Sequence, residues 1–206
     1  MEEFVSATQT LGFGRTRWTV LSALVVIGVL AVGVVVALPW WHDRTAAIAG
    51  QRLDDFPDVD LSALDSNRSR IVTVLRTEYA HPGDGPKYAQ GVDEPWCADF
   101  VSWTMRQAGQ PLSNPNSGSW RIPGVATLQE YFEANGRFSA VGSGYSPRPG
   151  DVVIYAPGSP FGQHTNIVLA AGEHSLTTIG GNERGSVRIH RYDPAGIAGI
   201  VGFGHM

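Results

Sequence analysis

The pattern of apolar and polar positions divides the chain into two unequal parts. From Val20 to Leu38 it reads VLSALVVIGVLAVGVVVAL, with no charged residue. At the rise of an α-helix this run is roughly 28 Å long, close to the hydrocarbon thickness of a bilayer. Trp18 stands at one end and Trp40 and Trp41 at the other, where rings that are half wet favour the membrane interfaces. A segment apolar on all sides and this long predicts a membrane-spanning helix over 18–39 rather than a core helix. Ala47-Ile48-Ala49 fits a signal-peptidase site, but the apolar run exceeds the ~7–15 residues of a signal-peptide core and ends well before it, which favours an uncleaved anchor. Arg15 and Arg17 before the run are balanced by Arg44 and Arg52 after it, so the positive-inside rule gives little preference. The short tail, 1–17, favours the cytoplasmic side, with the rest of the chain outside the membrane.

Residues 40–68 mix Asp54, Asp55, Pro57, Asp58 and Asp60 with few large apolar side chains. Such a stretch buries too little surface to fold alone and is expected to be a linker or stalk. From residue 69 to 206 the periodicity is that of a folded domain. Arg70 to Ala80 sets Ile71, Val74 or Tyr79, and Leu75 on one helical face, stopped by His81-Pro82-Gly83. Cys97 to Gly109 is a second helix with Phe100, Val101, Thr104 and Ala108 inward, ended by Gly109 and Pro111. Gly124 to Gly136 is a third, with Leu128, Tyr131 and Phe132 as its buried stripe. After that come short β-branched runs between glycine, proline and asparagine: GDVVIYA, HTNIVLAAG, LTTIGGN, VRIHRY and IVGFGHM. These predict strands of an antiparallel sheet. Helices followed by strands give an α+β class, with the helices packed on one side of the sheet.

Composition narrows the function. The 206 residues carry a net charge of -4 and are 43% hydrophobic, enough for one domain with a real core plus an appendage. No basic cluster offers a stripe for phosphates, which argues against nucleic acid as a partner. No two histidines stand at a helical ligand spacing and there is a single cysteine, which argues against a zinc site.

That cysteine, Cys97, is the first candidate for chemistry. A lone thiol outside the cytoplasm has no internal disulfide partner. It is either a small buried hydrophobe or a reactive group. Pro95 suits the start of a helix, which puts Cys97 in the first turn. There the unpaired backbone N–H groups and the helix dipole stabilise a thiolate and an oxyanion. A thiol nucleophile needs a base beside it. Of the six histidines, His164 opens the most apolar strand and is placed to reach a helix N-terminus. His42, His81, His174, His190 and His205 read as surface or terminal residues, His190 because it alternates with arginines on an expected solvated face. Asp99, two residues beyond Cys97, points away from it on a helix and reads as a dipole partner or surface group. Trp96, Trp103 and Trp120 are large enough for a cleft wall or for the core, Trp103 favouring the core. Tyr88 and Gln90 precede the thiol, where a loop can add an oxyanion donor.

Taken together, PWCADFVSW, RPGDVVIY, HTNIVL, TIGGN and the closing IVGFG resemble, in order and spacing, the CHAP domain, the cysteine- and histidine-dependent amidohydrolase/peptidase family. The resemblance covers nearly all of 69–206. It implies a papain-like α+β fold and metal-free hydrolysis of amide bonds in peptidoglycan, by N-acetylmuramoyl-L-alanine amidase or endopeptidase action. It implies Cys97 as nucleophile and His164 as general base; Trp96 and Tyr88 are expected near the substrate only from their positions beside the thiol. Many relatives carry an acid and an asparagine where this chain reads Ile179-Gly180-Gly181-Asn182. With Gly180 at the acid position, Asn182 is the expected orienter of the imidazole. Glu183 ranks second, because strand alternation turns it to the other face. The expectation is therefore a membrane-anchored, extracytoplasmic hydrolase acting on the peptidoglycan stem peptide. The alternative is a weak or inactive domain that binds wall peptide or an envelope protein; a regulatory envelope protein is a further expected partner.

Overall fold

The computed structural model describes residues 47–206. The membrane helix expected over 18–39, and the tail before it, lie outside the described residues. Among the described residues no helix is long and apolar enough to cross a membrane.

Among the described residues four α-helices precede or flank the sheet: α1 (Ser66–Ala80), the single turn α2 (Gly85–Tyr88), α3 (Cys97–Gln107) and α4 (Val125–Ala134). The strands are β1 (Gln51–Leu53), β2 (Phe138–Ala140), β3 (Val152–Tyr155), β4 (His164–Gly172), β5 (Ser175–Glu183), β6 (Ser186–Tyr192) and β7 (Ile200–Gly204). They form one sheet in the order β1-β6-β5-β4-β3-β7-β2, with every neighbouring pair antiparallel. The α+β reading, with helices against an antiparallel sheet, holds. So do the three long helices and the five sequence-predicted strands, within a few residues at their ends.

The sheet is buried on both faces. Ile154, Ile167, Leu169, Ile179 and Ile189 face the helices and join Ile71, Leu75, Phe100, Val101, Met105, Leu128 and Phe132 in the main core. Val153, Tyr155, Val168, Leu176, Tyr192 and Phe203 form a second cluster on the opposite face. Asp65 caps α1, its Oδ1 accepting from the N–H groups of Asn67 and Arg68, both at 3.0 Å. α3 packs across β4 and β5. Gly181 allows this close approach: a Cβ there would stand 2.5 Å from the Trp96 ring and 2.6 Å from Cβ of Phe100.

The stalk expected over 40–68 needs correction from residue 47 onward. Gln51–Leu53 pairs with β6 as an edge strand, and Ala49 and Val59 are buried. An edge strand is held by main-chain hydrogen bonds, which require no apolar composition, so the polar sequence hid it. The three-residue β2 and the four-residue α2 were likewise too short to leave a period.

Candidate active site

α3 begins at Cys97, one residue after Trp96, so the thiol occupies the first turn as Pro95 suggested. Trp96 is the N-cap and brings no side-chain acceptor. The first-turn N–H groups therefore stay available to an incoming oxyanion. Cys97 is 5% exposed.

His164 is the first residue of β4 and pairs with Tyr155. Its ring, 7% exposed, stacks on Phe161 at 5.8 Å between centroids. Cys97 is close enough to act on this ring, whose Nε2 lies 3.6 Å from Oε1 of Glu183. Burial opposes a charge on this ring. The hydrogen bonds with Cys97 and Glu183 and the attraction to both outweigh that and raise its pKa to about 9. The structure thus brings Cys97 and His164 together and favours an imidazolium beside the sulfur at neutral pH.

The strand β5 ends irregularly, and the irregularity decides which side chain meets His164. The β5–β6 register shifts between Gly180 and Glu183, and Asn182 has a left-handed backbone with φ 59°. This bulge inserts a turn into the alternation. Thr178 and Gly180 share one face; beyond the bulge Glu183 returns to that face instead of the other. Its carboxylate lands beside Gly180: a Cβ on that glycine would stand 2.6 Å from Oε1 of Glu183 and 1.9 Å from Oδ1 of Asn166. The missing acid side chain at Gly180 is therefore matched by a carboxylate from three residues further on. Asn182 lines a cavity next to the imidazole, but it is Glu183 that reaches Nε2. The alternation argument that ranked Asn182 first assumed a regular strand, and the bulge removes that assumption.

Glu183 is held from several sides. Asn166, on the same face of β4 as His164, donates from Nδ2 to Oε1 at 2.9 Å and to Oγ1 of Thr178 at 3.2 Å. Nδ1 of His190 on β6 lies 2.8 Å from Oε2. Burial works against the carboxylate's charge, but the bonds to His164 and His190 hold its pKa below the usual range. The contacts of Nε2 of His164, and of Nδ1 of His190 with Oε2 of Glu183, are short of full hydrogen-bond alignment. Such bonds commonly tighten only when substrate is bound.

His190 is not on a solvated face, as its arginine neighbours suggested; it is fully buried. β1 covers that edge of β6, and Arg188 beside it is buried too. Asn166 was not singled out, although its spacing of two from His164 put both on one face of a strand. Asp99 is buried instead of exposed. Its Oδ1 accepts from Nε of Arg121 at 2.7 Å, and burial pushes its carboxyl up to about 6. Arg121 also pairs with Glu94, tying two loops to the N-terminal turn of α3.

Tyr88 and Trp96 take other positions than a substrate surface. Tyr88 is fully buried, stacked on Trp96 at 4.9 Å, and its hydroxyl donates to Glu78 at 2.6 Å. Trp96 is 6% exposed and packs between Tyr88, Phe100 and Gly181. Both rings support the start of α3 from inside. Trp103 packs against the core as expected, and Trp120 is half-buried beneath the Arg106 guanidinium.

A cavity of about 320 Å³ opens on the histidine side of the site, lined by Ile48, Pro160, Phe161, His164, Asn182 and Glu183 among others. Among the described residues no group of three His, Cys, Asp or Glu side chains could hold a metal ion. No curated protein and no solved structure matches the chain. The family model of the CHAP domain matches residues 88–182, a segment that holds Cys97, His164 and Asn182 and stops one residue short of Glu183. That match supports a hydrolase or peptidase role in general.

Proposed function

We propose that the domain is a thiol hydrolase of peptidoglycan amide bonds, acting either as an N-acetylmuramoyl-L-alanine amidase or as an endopeptidase on the stem peptide. The observation that carries this reading is the proximity of Cys97, in the first turn of α3, to His164, whose Nε2 faces Glu183. The roles follow from that order. Cys97 as thiolate attacks the scissile carbonyl carbon, and the oxyanion is met by first-turn N–H groups. The imidazolium of His164 gives its proton to the leaving amine as the C–N bond breaks. Water then attacks the thioester while His164 takes its proton. The acid product leaves and the thiolate returns. Glu183, in place of Asn182, fixes the ring and offsets its charge, which an asparagine cannot do.

The apolar run Val20 to Leu38 is proposed as a single-pass anchor that holds the domain on the outer side of the membrane, against the wall. The reading as a weak or inactive wall-binding domain drew on the glycine at position 180. With the Glu183 carboxylate next to that glycine, the ground for it is weaker.

The test is digestion of purified peptidoglycan with the fragments identified by mass spectrometry. Cys97→Ala is expected to lower release by at least about a thousandfold. Release at the wild-type rate from that variant rules the mechanism out. Tight retention on sacculi without digestion by the wild type selects the binding domain instead. New amide products in the presence of added amine would make the enzyme a transferase.

A further inference from the structure

Catalysis of the kind proposed above uses Cys97, His164 and Glu183. It does not use the buried titratable group next to Glu183: His190, with no exposed surface, in the middle of β6. Imidazole is an unusual choice for a strand position with no exposed surface. Phe161 stands edge-on to it at 5.6 Å. Its register partners are Arg52 on β1 and Thr178 on β5. Two polar groups reach its nitrogens. Nδ1 is 2.8 Å from Oε2 of Glu183. Nε2 accepts from the backbone N–H of Ile48 at 3.2 Å.

The second contact fixes the state of the first. A backbone N–H can only donate, so Nε2 must present its lone pair. The ring's proton therefore sits on Nδ1, pointing toward the carboxylate. The two oxygens of Glu183 are then divided: Oε1 takes Asn166 and faces His164, while Oε2 is assigned to His190. A carboxylate restrained at one oxygen keeps the other in the plane and at the distance the catalytic imidazole needs. The bulge that delivers Glu183 ends at Ser186, four residues before His190. Without a restraint on its far oxygen, a side chain at the end of a bulge is free to rotate away.

We propose that His190 is a positioning residue of this active site. As an Nδ1–H imidazole set by the Ile48 N–H, it holds Glu183 in register with His164, and this makes the segment that leads into β1 part of the catalytic apparatus. The inference rests on the thiol-hydrolase reading for its kinetic consequence but not for the tautomer. The segment 47–53 lies far upstream of the matched residues 88–182, so its share in the site is not visible from the family match.

Three full-length variants and one spectrum test it. His190→Leu keeps the bulk and removes both nitrogens. His190→Asn keeps an N–H donor at the position of Nδ1. Ile48→Pro removes the N–H that faces Nε2. With a soluble muropeptide as substrate, His190→Leu is expected to lower kcat by about 10–100-fold with KM little changed, as for other residues that orient a catalytic ligand. His190→Asn should recover most of that loss, and Ile48→Pro should fall between them. Thermal unfolding midpoints are measured alongside. Equal losses in His190→Leu and His190→Asn would mean a packing role and overturn the proposal, as would unchanged kcat in His190→Leu. Nitrogen-15 imidazole spectra of the wild-type protein read the tautomer without any substrate. A protonated Nε2 at His190 overturns the proposal whatever the activity. An inactive wild type with the expected tautomer overturns the hydrolase reading instead, and leaves the Glu183 restraint standing.

Discussion

Arg68 and Asp151 meet in the interior at 2.8 Å, each with almost no exposed surface. His164, Glu183 and His190 meet at the opposite end of β3, where His164 pairs with Tyr155, and are buried as well. The first centre is nearly saturated: of its side-chain atoms only Nε of Arg68 lacks an aligned partner, and that atom lies 3.4 Å from Oδ2 of Asp65. Arg68 donates to the carbonyls of Pro149 and Met206 and pairs with Asp151 and Asp65. Asp151 accepts from Tyr145, from the backbone of Arg148 and from the backbone of Met206. The second centre leaves Nε2 of His164, Oε2 of Glu183, Nδ1 of His190 and Oδ1 of Asn166 without an aligned partner, and a cavity borders it. An ionic pair bonded on nearly every side holds one state and works as a clamp on the ends of the domain. An under-satisfied one can take or give a proton, and groups of this kind concentrate where function is.

The sharpest way to separate the two centres is to neutralise one charge in each. Glu183→Gln keeps the shape of the carboxylate and removes its charge. By analogy with amide substitution in other nucleophile–histidine–acid sites, turnover is expected to fall by about 10²–10⁴-fold. The unfolding midpoint should stay close to the wild type. Arg68→Ala is expected to do the reverse. It strands a buried Asp151 and should cost about 3–5 kcal/mol of stability in denaturant titration, with turnover per folded molecule unchanged. Should Arg68→Ala lower turnover of the folded fraction a hundredfold, or Glu183→Gln act only on stability, the division drawn here is wrong.

Much of the second centre could be read from the sequence, and the reason for the rest is local geometry. Cys97 was placed by the proline before it and by the helical period after it, and His164 by its position at the mouth of an apolar strand. Both signals are short-range. The carboxylate was misranked because a period-two argument carries across β5 only if the strand is regular, and Asn182 in a left-handed conformation is compatible with its residue type without announcing itself. His190 was misplaced for a different reason. Its face is dry only because β1 joins the sheet, and β1 comes from a segment too polar to look structured. The clamp at Arg68 left no signal, since an arginine at the start of an amphipathic helix is ordinarily a surface residue.

Proton linkage gives a smaller effect that also distinguishes the centres. The pKa of His164 in the fold, about 9, lies above its ordinary value of 6.5. A group raised in the fold stabilises fully below its unfolded value and loses that contribution as pH rises through the folded one. The wild type should therefore lose stability between about pH 6.5 and 9, by an amount on the order of 1–3 kcal/mol. Glu183 is shifted the other way, so its contribution is lost only on acidification below the ordinary carboxylate range. In Cys97→Ala the ring loses one of the two partners that raise it, and the alkaline fall should shrink. In Arg68→Ala it should persist at full size on a lower baseline. Urea titrations at closely spaced pH values measure both.

The smallest expected effect bears on the residue that the strand pattern favoured. Asn182 borders the same cavity as His164, and its residue type suits the left-handed backbone it adopts, with φ 59°. If its role is to make the bulge, then Asn182→Gly should be nearly silent, since glycine takes that conformation at no steric cost. Turnover is expected to stay within about threefold of the wild type, a change under 1 kcal/mol in the barrier. Asn182→Ala keeps a Cβ without the local polar side chain and should cost about 1–2 kcal/mol of stability from the strained backbone. If the side-chain amide is instead what orients His164, the two variants would lose turnover together, by a hundredfold or more, regardless of backbone strain. The glycine variant thus isolates the amide from the turn it sits in. Its steady-state kcat on muropeptides decides whether the carboxylate brought round by the bulge has taken over the orienting role.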